Sequence, residues 1–93
     1  MTIERIQAAV MGLVEKYHIS KVILFGSRAD GRCRDDSDVD LIMEFSRPVS
    51  LLTLSMITDE LKGLLQLEVD LVHGPIRQED MLEIGGQVVL YAA

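Results

Sequence analysis

Residues 24–45 read LFGSRADGRCRDDSDVDLIMEF, and the rest of the chain is organised around this segment. It contains an apolar run that stops at Gly26-Ser27, a short charged segment, and a second apolar run that opens with Asp38-Val39-Asp40. A glycine-serine turn at a strand end presents backbone N–H groups and a hydroxyl that can face a phosphate. The stretch therefore predicts two strands, with a phosphate-facing turn at the end of the first.

Carboxylates open the second of these strands. Side chains at positions i and i+2 of a strand share a face, so Asp38 and Asp40 should point the same way. Asp70 lies in a later alternating segment, on the face opposite to its apolar residues. If the two strands are neighbours, three carboxylates converge, and their mutual repulsion is costly without a cation.

Such a cluster predicts a site for Mg²⁺ and a nucleoside triphosphate, because hard oxygen ligands suit Mg²⁺. Two ions about 4 Å apart would clamp an in-line phosphoryl or nucleotidyl transfer. Asp38 and Asp40 would ligate the metals. Asp70 would complete the second metal site and accept the proton of an attacking hydroxyl. Gly26 would let the backbone approach the phosphates, and Ser27 would hydrogen-bond the β- and γ-phosphates.

Composition limits the class of protein. With 93 residues and 48% hydrophobic content, the chain predicts one globular domain spanning residues 1–93. No apolar run approaches the ~20 residues of a membrane span, and the N-terminus resembles a helix of the domain more than a targeting segment. Cys33 is the single cysteine, which suits a reducing cytoplasm. The net charge of −6 disfavours a nucleic-acid polymer as partner.

Hydrophobic periodicity predicts a mixed α/β domain, with one sheet flanked by helices. Thr2 and Ser50 are the expected N-caps of two helices. The second helix should face the core through Leu51, Leu54, Ile57, Leu61, Leu64 and Leu65. The predicted helices cover residues 3–17, 51–65 and 77–84, and residues 27–34 are expected to form a short helix and a loop. The predicted strands cover residues 22–25, 38–45, 67–72 and 88–91.

The motif resembles that of the DNA polymerase β nucleotidyltransferase superfamily. The resemblance rests on Gly26-Ser27, on the run SDVDL at 37–41 and on Asp70 in a later alternating strand. The short length and the run GSRADGRCRDDSDVDL make the chain similar to the minimal nucleotidyltransferases, the MNT-domain antitoxins paired with HEPN-domain toxins. This resemblance covers most of the chain, from the first helix to VVLY at 88–91.

The resemblance implies a nucleotidyltransferase fold and transfer of AMP from ATP, with Mg²⁺, to a tyrosine of a cognate HEPN ribonuclease, which silences that toxin. It gives Gly26 and Ser27 the phosphate role, and Asp38, Asp40 and Asp70 the carboxylate roles. Arg28 is a further candidate for phosphate contact, since Asp30 stands where family members often carry a basic residue.

Three functions stay open at this point. The first is the antitoxin enzyme that modifies its partner. The second is a module that neutralises its partner by occlusion, with weak or no catalysis, although a pure binder has no use for three clustered carboxylates. The third is nucleotidyl transfer to a small-molecule or RNA hydroxyl, which the acidic charge disfavours for RNA.

Overall fold

Two helices pack on one face of a mixed sheet in the computed structural model, which describes residues 2–26, 38–74 and 86–93. The helices α1 and α2 and the strands β1 to β4 of these ranges are α1 Ile3–Tyr17, β1 Ile19–Phe25, β2 Val39–Phe45, α2 Leu51–Leu65, β3 Val69–His73 and β4 Gln87–Ala92. The predicted α/β class with a mixed sheet flanked by helices is confirmed. The predicted short helix and loop at 27–34 and the predicted helix at 77–84 lie outside the described residues.

Both helices begin at the predicted caps. The Thr2 hydroxyl accepts a hydrogen bond from the backbone N–H of Arg5 at 3.2 Å, and the Ser50 hydroxyl accepts one from Thr53 at 3.1 Å. Each bond satisfies an N–H group that has no partner within the helix. Neither helix is long and apolar enough to cross a membrane.

The strand order is β3-β2-β1-β4. β1 pairs antiparallel with both β2 and β4, whereas β2 and β3 are parallel. A parallel pair needs a crossover connection, and α2 provides it between β2 and β3.

The core lies between the two helices and one face of the sheet. Apolar positions alternate along β1 and β2, so that Val22, Leu24, Leu41 and Met43 all point towards the helices. The opposite face carries Asp40 and the buried Ile23–Ile42 pair. The core cluster comprises Ile6, Val10, Leu13, Val14, Tyr17, Ile19, Val22, Leu24, Val39, Leu41, Met43, Ile57, Leu61, Leu65, Val69 and Leu90.

Two strand starts differ from the sequence prediction by more than one residue. β1 begins at Ile19, not at residue 22, because His18 ends α1 in the left-handed conformation, with φ of 56°, and turns the chain directly into the sheet. β3 begins at Val69, not at residue 67, because Gln66 ends α2 in the same left-handed conformation. Leu67 still packs against the core, as its alternation predicted.

The prediction of which α2 residues face the core is wrong in part. Ile57, Leu61 and Leu65 are buried, but Leu51 is 83% exposed and Leu64 is 54% exposed. The buried residues recur every fourth position and form a narrow stripe, whereas Leu51 and Leu64 lie beside it. The helix therefore carries apolar side chains into solvent.

Leu61→Ala and Leu52→Ala separate burial from hydrophobicity on one helix. Leu61 is 0% exposed and Leu52 is 72% exposed. We expect Leu61→Ala to lower the free energy of unfolding by about 2–5 kcal/mol, since it leaves a cavity, and Leu52→Ala to change it by about 0.5 kcal/mol or less. Urea denaturation monitored by circular dichroism measures both, and equal losses would contradict the packing described for α2.

Candidate active site

Strand register places Gly26, Asp40 and Asp70 at one end of the sheet. Phe25 at the end of β1 pairs with Asp40 on β2, and Asp40 pairs with Asp70 on β3. Directly paired residues of neighbouring strands point to the same face. The first carboxylate of β2 and that of β3 are therefore adjacent on the face away from the helices.

Asp40 carries the electrostatic signature of this arrangement. Burial raises its pKa above the usual value of a carboxyl, because the charged form loses hydration. The neighbouring carboxyl of Asp70 raises the pKa further, and the charge of Asp38 adds to the effect. Asp38 and Asp70 are both exposed, whereas Asp40 is half-buried. A bound cation would therefore offset the largest loss of hydration and the largest charge repulsion at Asp40.

Gly26 leaves the space that the Asp40 carboxylate occupies. A Cβ at position 26 would lie 2.7 Å from Oδ2 of Asp40, closer than side chains tolerate. Gly26 also has φ of 78°, a left-handed conformation that favours glycine. Gly26, which is expected to let the backbone approach a phosphate, therefore also makes room for the carboxylate of Asp40.

Backbone and side-chain contacts fix the start of β3 beside that of β2. The N–H of Val39 donates to the carbonyl of Glu68 at 2.9 Å, which holds the two strands together next to Asp40 and Asp70. The Glu68 side chain forms an ion pair with Lys62 of α2, with Nζ and Oε2 3.1 Å apart. No pattern in the amino-acid sequence predicts this pair. Lys62 and Glu68 lie on either side of a helix end, where no periodicity links them.

The predicted site residues fall into two groups. Asp40 and Asp70 are brought together, and Asp38 is close enough for its charge to act on Asp40. Ser27 and Arg28 lie outside the described residues. Within the described ranges no three acidic, histidine or cysteine side chains form a ready metal cage. The Asp40–Asp70 pair nevertheless fits a divalent cation, since two adjacent carboxylates supply hard oxygens and repel each other without one.

Comparison with known proteins identifies the family of the chain. Residues 9–89 match the family described as polymerase beta, nucleotidyltransferase. The chain belongs to the polymerase beta nucleotidyltransferase family. A candidate protein adenylyltransferase of Methanocaldococcus jannaschii is 37% identical over 76 residues, which cover 76% of this chain and 78% of the relative. The protein adenylyltransferase MntA of Thermococcus cleftensis is 34% identical over 76 residues, covering 77% of each chain.

Solved structures share the fold of this chain. A structure described as a candidate minimal nucleotidyltransferase has a TM-score of 0.74 and 29% identity, and the match covers 95% of each chain. A chain in a toxin–antitoxin crystal structure with AMP-PNP has a TM-score of 0.77 and 18% identity, covering 94% of this chain and 73% of its own. A chain in the complex of a tri-AMPylated Shewanella oneidensis HEPN toxin with an MNT antitoxin has a TM-score of 0.71 and 15% identity, covering 97% and 72%. This polymerase beta family member is a nucleotidyltransferase enzyme.

Asp70→Asn tests the coupling between the paired carboxylates of this nucleotidyltransferase. We expect the pKa of Asp40 to fall towards its usual value, because the neighbouring negative charge is gone. Carboxyl NMR titration of the metal-free protein measures this shift. Asp59→Asn, an exposed aspartate of α2, removes the same charge elsewhere and should leave the pKa of Asp40 in place.

The raised pKa also fixes the sign of a stability effect. As the pH rises above the unfolded-state pKa of about 3.9, the unfolded chain releases its Asp40 proton before the folded protein does. The contribution of Asp40 to the free energy of unfolding therefore decreases until its folded-state pKa is passed. Asp70→Asn should accordingly stabilise the metal-free protein at pH 7. A decrease in the denaturant midpoint would contradict the repulsion between the two groups.

Gly26→Ala tests the close approach of Gly26 to Asp40. We expect a loss of about 1–2 kcal/mol from the left-handed backbone alone, plus a further loss as the Cβ displaces the Asp40 carboxylate. Gly12→Ala is the matched control, because a Cβ at that helix position meets nothing within 4 Å, and it should stabilise by about 0.5–1 kcal/mol. In an Asp40→Ala background, Gly26→Ala should lose only the backbone part, which a double-mutant cycle by urea denaturation measures.

Proposed function

We propose that this enzyme transfers AMP from ATP to a hydroxyl of a partner protein. The observation that carries the proposal is the Asp40–Asp70 pair, held in register and with the pKa of Asp40 raised by burial and by its neighbour. Asp40 and Asp70, with Asp38 beside them, are the residues that would hold Mg²⁺. Bound there, the metal supplies charge stabilisation at the transferred phosphate.

The residues of the chain divide the reaction between them. Gly26 and Ser27, with Arg28 as a further contact, would bind and orient the triphosphate at the end of β1. Asp70 would take the proton of the incoming hydroxyl. The hydroxyl oxygen then forms a bond to the α-phosphorus, the bond from that phosphorus to the bridging oxygen breaks, and pyrophosphate leaves. Asp70 suits this role because it is exposed and therefore reachable by an acceptor from outside.

The proposed acceptor is a tyrosine of a HEPN ribonuclease toxin, and the proposed role is that of its antitoxin in the cytoplasm. Two observations support this step. The curated relatives are named as established or candidate protein adenylyltransferases. The fold neighbours include a tri-AMPylated HEPN toxin bound to its MNT antitoxin, and a toxin–antitoxin pair with AMP-PNP. A protein acceptor also agrees with the net charge of −6, which repels RNA.

A second candidate function is neutralisation of the partner by occlusion. The observation in its favour is the exposed apolar surface of α2, where Leu51 and Leu52 lie in solvent. Such side chains often mark a protein contact. Occlusion and modification are compatible as binding events, but only modification needs the carboxylates.

Intact mass spectrometry of the partner separates these functions. The HEPN-domain toxin expected as the partner is incubated with this protein, ATP and Mg²⁺. We expect added mass in steps of one adenylyl group, because each transfer leaves AMP on a hydroxyl. Peptide fragmentation then identifies the modified residue.

Two variants make the result specific to the proposed site. Asp38→Asn/Asp40→Asn should abolish the added mass, since it removes the proposed metal ligands, whereas Asp59→Asn should retain it. Wild-type transfer by the double variant would contradict the assigned site. Co-purification of the two proteins without added mass would favour occlusion.

A further inference from the structure

The strand order gives the site a nucleotide side and an outer side. Across the sheet, Gly26 on β1 is followed by Asp40 on β2 and then by Asp70 on β3. Among the described strands, β3 pairs only with β2, so Asp70 is the last carboxylate of the row. If the triphosphate lies at Gly26, an acceptor hydroxyl must approach from beyond Asp70.

An exposed ion pair occupies this outer side. Lys62, in the last turn of α2, lies with its Nζ 3.1 Å from Oε2 of Glu68, two residues before Asp70. The Lys62 side chain is 40% exposed and that of Glu68 is 74% exposed. The hydrogen bond to Glu68 and the charge of Glu68 raise the pKa of Lys62, and the charges of Asp59 and then of Asp70 add smaller effects. Lys62 thus lies within electrostatic reach of the acceptor side of the site.

Such a pair is easily exchanged. Two exposed charges at this distance stabilise each other only weakly, because water and salt screen them. A cation from another molecule can therefore replace Lys62 beside Glu68 at little cost. Opening the pair frees the negative charge of Glu68, which lies two residues before Asp70 in the chain.

We propose that Glu68 receives a lysine or arginine that flanks the acceptor hydroxyl, and that Lys62 competes with that residue for Glu68. This inference rests on the proposed function, since it names the class of protein segment that the site accepts. The segment carries positive charge near its hydroxyl residue. Glu68 and Lys62 are specificity-determining residues with effects of opposite sign.

Peptide binding tests the proposal without requiring the reaction. Two fluorescein-labelled peptides carry one tyrosine, flanked by lysines in one and by glutamates in the other. Fluorescence anisotropy gives their affinities for the protein loaded with Mg²⁺ and the α,β-methylene analogue of ATP, whose bridging carbon prevents transfer. Wild type should prefer the lysine peptide. Glu68→Gln should reduce that preference about two- to fivefold, and Lys62→Gln should increase it by a similar factor.

The opposite signs distinguish recognition from a structural role. If the pair only stabilised the fold, Glu68→Gln and Lys62→Gln would shift both peptides in the same direction. Glu15→Gln, an exposed change of equal charge on α1, controls for the net charge and should change the preference less than Glu68→Gln. Equal effects of Glu15→Gln and Glu68→Gln, a wild type without preference, or no binding of either peptide would each overturn the proposal. If the wild-type protein shows the peptide preference but transfers no nucleotide to its partner, the proposed function alone would be overturned.

Discussion

The hydrogen-bond register of β1, β2 and β3 is the constraint on which the candidate site depends. Register fixes which side chains are neighbours, and a slip of one residue would turn each carboxylate to the other face of the sheet. Here it aligns Phe25 with Asp40 and Asp40 with Asp70. The buried apolar residues between these positions hold the register in place, so the core that stabilises the fold also sets the spacing of the charges.

Some features of this arrangement lower local stability and at the same time suit the proposed function. Asp40 is half-buried beside a like charge, which raises its pKa and destabilises the metal-free protein at neutral pH. Gly26 is a second position with a local cost in stability, because its left-handed backbone and the nearby Oδ2 of Asp40 exclude a side chain. Both features are costly in a purely structural domain and suit a site that binds a metal and a triphosphate.

The sequence was informative wherever a periodic pattern decides the structure. Thr2 and Ser50 cap the helices as predicted, and the alternation in β2 and β3 places Asp40 and Asp70 on the face away from the core. Strand order is a different matter, because alternation assigns faces but not neighbours. The proximity of Asp70 to Asp40 could therefore be predicted only on the condition that their strands are neighbours. The parallel pairing of β2 and β3 meets that condition.

Other features depend on packing geometry that no single stretch encodes. The solvent exposure of Leu51 and Leu64 follows from how α2 lies on the sheet, since both residues are as hydrophobic as the buried Leu61. The Lys62–Glu68 ion pair joins the end of a helix to the start of a strand, across a turn whose shape the left-handed Gln66 determines. Such contacts become predictable only when the relative placement of the elements is known.

The exposure of Asp70 has a consequence for the timing of any transfer. Two unit charges 4 Å apart interact by about 1 kcal/mol in water and by about 4 kcal/mol at the effective dielectric constant of a protein surface. An exposed carboxylate therefore exerts little force on a reacting group while water surrounds it. A docked acceptor would displace that water and strengthen the same charges. The partner would then complete the electrostatic environment as well as supply the hydroxyl, and bound nucleotide would be spared wasteful hydrolysis in its absence.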